Sequence, residues 1–147
     1  MKEYAEPRMH TAEHLLNQAM VRLFGCGRAF SSHIERKKSK CDYRFPRALT
    51  PEDHSELERR VNEAVRAGLP VTERFFSREE AAEKFDLARL PADAAYPLRV
   101  ILIGDYDACP CIGPHVASTA EVGEFKIVSS GWADGVLRVR FKLGGGQ

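Results

Sequence analysis

Apolar side chains at Ala12, Leu15, Leu16, Ala19, Met20, Leu23 and Phe24 recur with the period of an α-helix. They predict one amphipathic helix over residues 8–24, which Gly25 and Gly27 can stop. A second helix starts at Thr50 as cap and Pro51 in the first helical position. Its buried stripe is Leu57, Val61, Ala64 and Val65, and Gly68 and Pro70 end it. Ser77 with Glu80 reads as a capping box for a third helix, "SREEAAEKF", with Ala81, Ala82 and Phe85 facing inward.

The segment "FSSHIERKKSKCDYRF" places β-prone pieces on either side of a charged turn and predicts a hairpin. "VTERFF", "LRVILIG", "EFKIVSS" and the cleanly alternating "VLRVRFKL" predict further strands. The expected fold is α+β, with helices packed on a mostly antiparallel sheet. Residues 1–143 read as a single domain, and residues 144–147, "GGGQ", as a flexible tail with nothing to pack.

Composition changes this picture little: 147 residues, 44% hydrophobic and 29% charged, suffice for a core without disulfides. No apolar run approaches the ~18 residues of a membrane span, and charged residues interrupt the N-terminus where a secretory signal would be apolar. A cytoplasmic protein with reduced thiols is expected. There, clustered Cys and His point to a metal before a disulfide. A net charge of +1 excludes a bulk nucleic-acid binder. Locally, however, Arg36, Lys37, Lys38 and Lys40 crowd the hairpin turn: a solvated surface, or a contact for a phosphate backbone.

The candidate chemistry lies in two spaced pairs. His10 and His14 stand four apart in "HTAEH", on one helix face beside the apolar stripe. Cys111 and His115 are also four apart in "CPCIGPHVAST", where Gly113 and Pro114 impose a tight turn after the strand "LRVILIG". Three imidazoles and a thiolate suit tetrahedral zinc and disfavour magnesium or calcium. Such an ion would tie the N-terminal helix to the C-terminal sheet. Cys109 competes with Cys111 as ligand, but the shorter span to His115 favours Cys111; Cys26 and Cys41 read as packing residues. His54 reads as exposed, and His33 as a strand-surface or pocket residue. Asp107 could orient a ligand imidazole, although capping of the turn is the simpler reading. Two other readings stand beside this one. "HTAEH" fits the inverted zinc-peptidase pattern with Glu13 as base, and a four-ligand zinc can staple helix to sheet without chemistry.

"HTAEHLL", "CIGPHV" and "EFKIV", in this order, resemble the second additional domain of threonyl- and alanyl-tRNA synthetases and, more closely, the free-standing alanyl-tRNA editing proteins (AlaX). "LTPEDHSELERRVNEAV" and "SREEAAEKF" are similar to the family's middle segments, so the likeness spans nearly the whole chain. "CIGPHV" carries the Gly-Pro-His of threonyl versions, where alanyl versions usually read Gly-Thr-His. The resemblance implies zinc on His10, His14, Cys111 and His115. It implies hydrolysis of the ester joining a wrong amino acid, usually serine, to the 3′-terminal adenosine of tRNA, in trans. Four protein ligands normally close a zinc site, whereas catalysis asks for an open position.

Ser32 matches the family's strand hydroxyl and is the expected contact for a seryl substrate, with His33 and Asp107 near the pocket. Arg36, Lys37, Lys38 and Lys40 are the expected tRNA contacts. The chain departs from the family at Ala29, where a glutamine is common, and in "DYRF", where the usual charges are swapped.

Overall fold

The computed structural model describes residues 6–85, 90 and 94–144. Pro7 opens the first helix, α1 (Pro7–Phe24), and Gly25, in a left-handed conformation, closes it by donating its N–H to Val21 O. A short hairpin follows, β1 (Ser31–His33) and β2 (Ser39–Arg44), then α2 (Pro51–Ala67), β3 (Val71–Phe76), α3 (Arg78–Lys84), β4 (Leu98–Ile103) and β5 (Asp107–Pro110). A 3-10 turn (Thr119–Val122) leads into the long hairpin β6 (Glu124–Ala133) and β7 (Val136–Gly144). Asp134 and Gly135, at φ 53° and 80°, both take the left-handed conformation that a two-residue hairpin turn requires.

The strands form two antiparallel sheets, one ordered β1-β2-β7-β6 and one β3-β4-β5. β2 and β7 alternate strictly: Cys41, Tyr43, Leu137, Val139 and Phe141 face inward and are buried. α1 lays Met9, Ala12, Leu15, Leu16, Ala19 and Met20 into the same cluster, joined by Leu57 and Val61 of α2. Each large side chain so buried contributes about 1.5–3 kcal/mol. Polar contacts fix the helix on the sheet: Tyr43 Oη donates to Asn17 Oδ1 at 2.8 Å, and Ala29 N–H donates to the same oxygen at 3.1 Å. No helix of the described residues is long and apolar enough to cross a membrane.

The α+β class is as expected from the sequence; several details differ. The "CPCIGPH" turn does not follow β4 directly, because a tight turn at Gly104–Tyr106 first returns the chain as β5. Ala82 is exposed: α3 is too short to bury more than Ala81, while Phe85 packs edge-on against Phe76. His54 is half-buried rather than exposed, since Ser130 Oγ stands 2.7 Å from its Nε2. Gly144 belongs to β7, and the remainder of the expected tail, residues 145–147, lies outside the described residues. Cys26 and Cys41 pack as expected, with Cys26 Sγ directed at Met20 O.

Thr50 accepts from the Asp53 N–H while Asp53 accepts from the Thr50 N–H, a reciprocal cap on α2. Thr50→Ala is expected to lower stability by about 1 kcal/mol. A shift of the urea midpoint at unchanged slope would show it, and an unmoved midpoint would deny the cap that role.

Candidate metal centre

α1 carries His10, Thr11, His14 and Gln18 past the loop that runs from Cys111 to Ser118. Ligand atoms of His10, Cys111 and His115 lie within 4.8 Å of one another. His115 Nε2 is 3.5 Å from Cys111 Sγ. His14 stands at the edge of this triangle, its ring packed against that of His115 at 4.5 Å between centroids. The structure thus gathers three of the four expected ligands and holds the fourth beside them. Cys109 is not in the group: it lies on β5 with Sγ directed at Pro110 O.

The local sequence explains the close approach. A Cβ at Gly113 would meet His10 Cε1 at 2.7 Å and Nδ1 at 2.8 Å, so only glycine lets the loop close over that imidazole. Arg99 of β4 clamps the loop, its Nη1 donating to Cys111 O at 2.9 Å and Gly113 O at 3.0 Å. Thr11 Oγ1 lies 3.0 Å from His115 Nδ1 and accepts the Val116 N–H at 3.3 Å, which leaves His115 Nε2 turned to the thiol. Asp107 is wholly buried on β5 and caps no turn. Its Oδ1 accepts from Gln18 Nε2 at 2.8 Å and Arg28 Nη1 at 2.7 Å, and its Oδ2 faces His14 Nδ1 at 3.6 Å. That last distance is an electrostatic contact, too long for a full hydrogen bond.

Electrostatics sort these groups by partner. Burial would raise the Cys111 thiol, but His10, His115 and His14 outweigh it and bring it down to about 3. Burial would lower His14, but Asp107 and the Cys111 sulfur outweigh it and raise it to about 9. Burial pushes His115 down and lifts Cys109 to about 11. Asp107 is held below the usual carboxylate range because His14 and Arg28 overcome its burial. A thiolate among imidazoles beside a fixed carboxylate is the donor chemistry that soft divalent ions require. The buried Nδ1 atoms of His10 and His14 have no hydrogen-bond partner. Such atoms are costly unless an ion or ligand satisfies them. The donor set therefore has the chemistry zinc requires, and His10, Cys111 and His115 could hold such an ion, with His14 adjacent.

The other expected site residues are dispersed. Ser32 pairs with Cys41 on the helix-facing side of β1, its Oγ 3.6 Å from Cys41 Sγ. His33 faces the opposite side and contacts Glu35 Oε2 at 2.5 Å. Arg36, Lys37 and Lys38 are exposed in the β1–β2 turn, and Lys40 projects from the outer face of β2. Glu13, half-buried, is not among the gathered donors; its charge is felt by Cys41 and Cys109. Sequence reasoning missed Thr11, Gln18, Arg28 and Arg99. Only Thr11, inside "HTAEH", lay close enough to the motif to be suspected.

This geometry coincides with a recognisable segment. Residues 98–140 match the Threonyl and Alanyl tRNA synthetase second additional domain, a stretch that holds both loop ligands. Over 140 residues, 93% of its length, the chain is 37% identical to an alanine–tRNA ligase of Coxiella burnetii (strain Dugway 5J108-111). It is 34% identical over 92% of its length to that of Neisseria meningitidis serogroup C (strain 053442), and 33% identical over 97% to that of Aeropyrum pernix. The chain spans 16% of the length of each, so it is similar to one part of these ligases.

Gly113→Ala is expected to displace His10 and to lower zinc affinity at least about 10-fold. Asp107→Asn, which frees the His14 ring, should cost about 10–100-fold. Competition with a chromophoric chelator measures both, and wild-type affinity in either variant would contradict the assigned role.

Proposed function

We propose that this chain is a zinc-dependent aminoacyl-tRNA deacylase. It clears the ester of a mischarged tRNA, Ser-tRNA(Ala) or Ser-tRNA(Thr), bound through the acceptor end. The observation that carries the reading is the His10–Cys111–His115 cluster, with the buried Nδ1 of His10 lacking a hydrogen-bond partner, in a chain similar to part of alanine–tRNA ligases. Zinc, when bound, supplies Lewis-acid charge at an ester already activated toward water.

The protein's own groups do the positioning. Arg28 and Gln18 lock Asp107, which faces the His14 ring, while Thr11 fixes the orientation of His115. Arg99 ties down the loop through the Cys111 and Gly113 carbonyls. Ser32, exposed on the helix-facing side of β1, offers a hydroxyl to a seryl side chain; an alanyl group would leave that bond unmade. Three donors, His10, Cys111 and His115, lie within 4.8 Å of one another with His14 beside them; with His14 as fourth ligand the site is closed, and without it one position is open to substrate or water. The peptidase reading asks for a carboxylate as third ligand, whereas Cys111 and His115 complete the donor group here.

The test is deacylation of Ser-tRNA(Ala) and Ser-tRNA(Thr) against Ala-tRNA(Ala) and Thr-tRNA(Thr), with zinc content measured in parallel. Wild type should clear a seryl ester and spare the cognate ones. Cys111→Ala should lose at least about 100-fold in rate along with its zinc. Stoichiometric zinc with no ester cleaved would instead make the ion a structural staple.

A further inference from the structure

Every charged residue of the four-stranded sheet projects from its outer face, opposite α1 and α2. By strand register these are Lys40, Asp42 and Arg44 on β2, Glu124 and Lys126 on β6, and Arg138, Arg140 and Lys142 on β7. All are half-buried or exposed. Six cations face two carboxylates on this one surface, while the whole chain carries a net charge of only +1.

The cations are unevenly compensated. At one end Arg138 forms a two-pronged pair with Asp42, at 2.8 and 2.9 Å. At the other end, Lys40 lies directly opposite Arg140, and Lys126 directly opposite Lys142. Like charges facing each other across a strand pair destabilise a sheet. Among the described residues no carboxylate forms an ion pair with Lys40, Lys126 or Lys142, and Arg140 donates only to Ser129 Oγ, at 3.2 Å. Two adjacent repulsive pairs across three strands, a width of roughly 10 Å, are what a polyanion would relieve.

Their place in the fold supplies the second argument. This end of the sheet meets the N-terminal end of α1: Ser39 Oγ contacts Met9 Sδ at 3.4 Å, and Arg8 donates to Val122 O at 2.8 Å, just before β6. His10 is in the same turn of helix. The cations Lys126, Lys142, Arg140 and Lys40 thus cross the outer face at the end of the sheet whose inner face meets the first turns of α1, and the turn residues Arg36–Lys38 continue the track toward the β1 edge. Ser129 beside Arg140 is polar and Val128 before it is a single exposed apolar side chain, short of the apolar face that inserts into lipid, which favours a phosphodiester backbone over a lipid surface.

We infer that the outer face of the β1-β2-β7-β6 sheet, at its Lys40–Arg140 and Lys126–Lys142 end, docks the RNA backbone of the substrate. The inference rests on the reading of tRNA as substrate and extends the docking surface beyond the β1–β2 turn.

Binding of fluorescently labelled, uncharged tRNA would be followed by anisotropy across a salt series. The proteins compared are wild type, Lys126→Gln/Lys142→Gln and the charge-matched control Arg66→Gln/Lys84→Gln, each checked by circular dichroism. The sheet variant should bind at least about 10-fold more weakly at low salt. Its log–log salt slope should be shallower by about 1 for each phosphate no longer neutralised. The control should match wild type, and thermal stability of the sheet variant should be equal or higher. Equal affinity in the sheet variant and wild type overturns the inference. So does binding of wild type to vesicles containing anionic lipid but not to tRNA. Because no ester is involved, loss of the hydrolase reading would leave this tRNA result standing, and the reverse also holds.

Discussion

The close approach of the Cys111–Ser118 loop to the first two turns of α1 is the contact on which the metal centre depends. Helix and loop are about a hundred residues apart in sequence, and they meet with no room for a side chain at Gly113, whose missing Cβ would lie 2.7 Å from His10. The helix cannot shift to make room, because its opposite face is locked into the core through Leu15, Leu16 and Met20. The loop cannot retreat either, because Arg99 holds two of its carbonyls and Thr11 holds the Val116 N–H. Packing and hydrogen bonds on both sides bring a thiolate and three imidazoles to one place.

That arrangement is electrostatically incomplete by itself. A buried imidazole nitrogen without a partner costs about 1–3 kcal/mol, and here there are two, at His10 and His14. The Asp107 carboxylate is neutralised by Arg28 and lies against His14, so the negative charge behind the donors is fixed in place. A divalent ion among His10, Cys111 and His115 would balance the thiolate, while Asp107 faces the Nδ1 of His14 from behind. Like charges also meet on the sheet's outer face, where Lys40 faces Arg140 and Lys126 faces Lys142 with no ion-paired carboxylate among the described residues.

The sequence revealed what is periodic or spaced. The stripes of α1 and α2, the caps at Thr50 and Ser77, and the alternation of β7 carry over directly to the structure. The HxxxH and CxxxH pairs were legible because ligand spacing is local. What sequence could not show is whatever depends on the chain's return path. β5 is four residues long and carries no alternation of its own, so the sequence favoured Asp107 as a turn cap over the other reading, a carboxylate that orients an imidazole, and it is His14 that the buried carboxylate faces. Arg28 and Arg99 look like ordinary surface arginines until β5 brings Asp107 and the loop carbonyls to them. Ser32 and His33, adjacent in sequence, were read toward one pocket, yet strand geometry sends them to opposite faces. Ala82 and His54 differ for a simpler reason: whether a neighbour covers a helix position is not written in its own helix.

The central claim is that helix and loop together make one mixed nitrogen and sulfur zinc site. X-ray absorption at the zinc edge, on protein loaded with one equivalent, tests it most directly. A single sulfur near ~2.3 Å with two or three imidazole nitrogens near ~2.0 Å is expected, with loss of the sulfur shell in Cys111→Ala but not in Cys109→Ala. Two sulfurs, or an oxygen-rich shell without imidazole scattering, would contradict it.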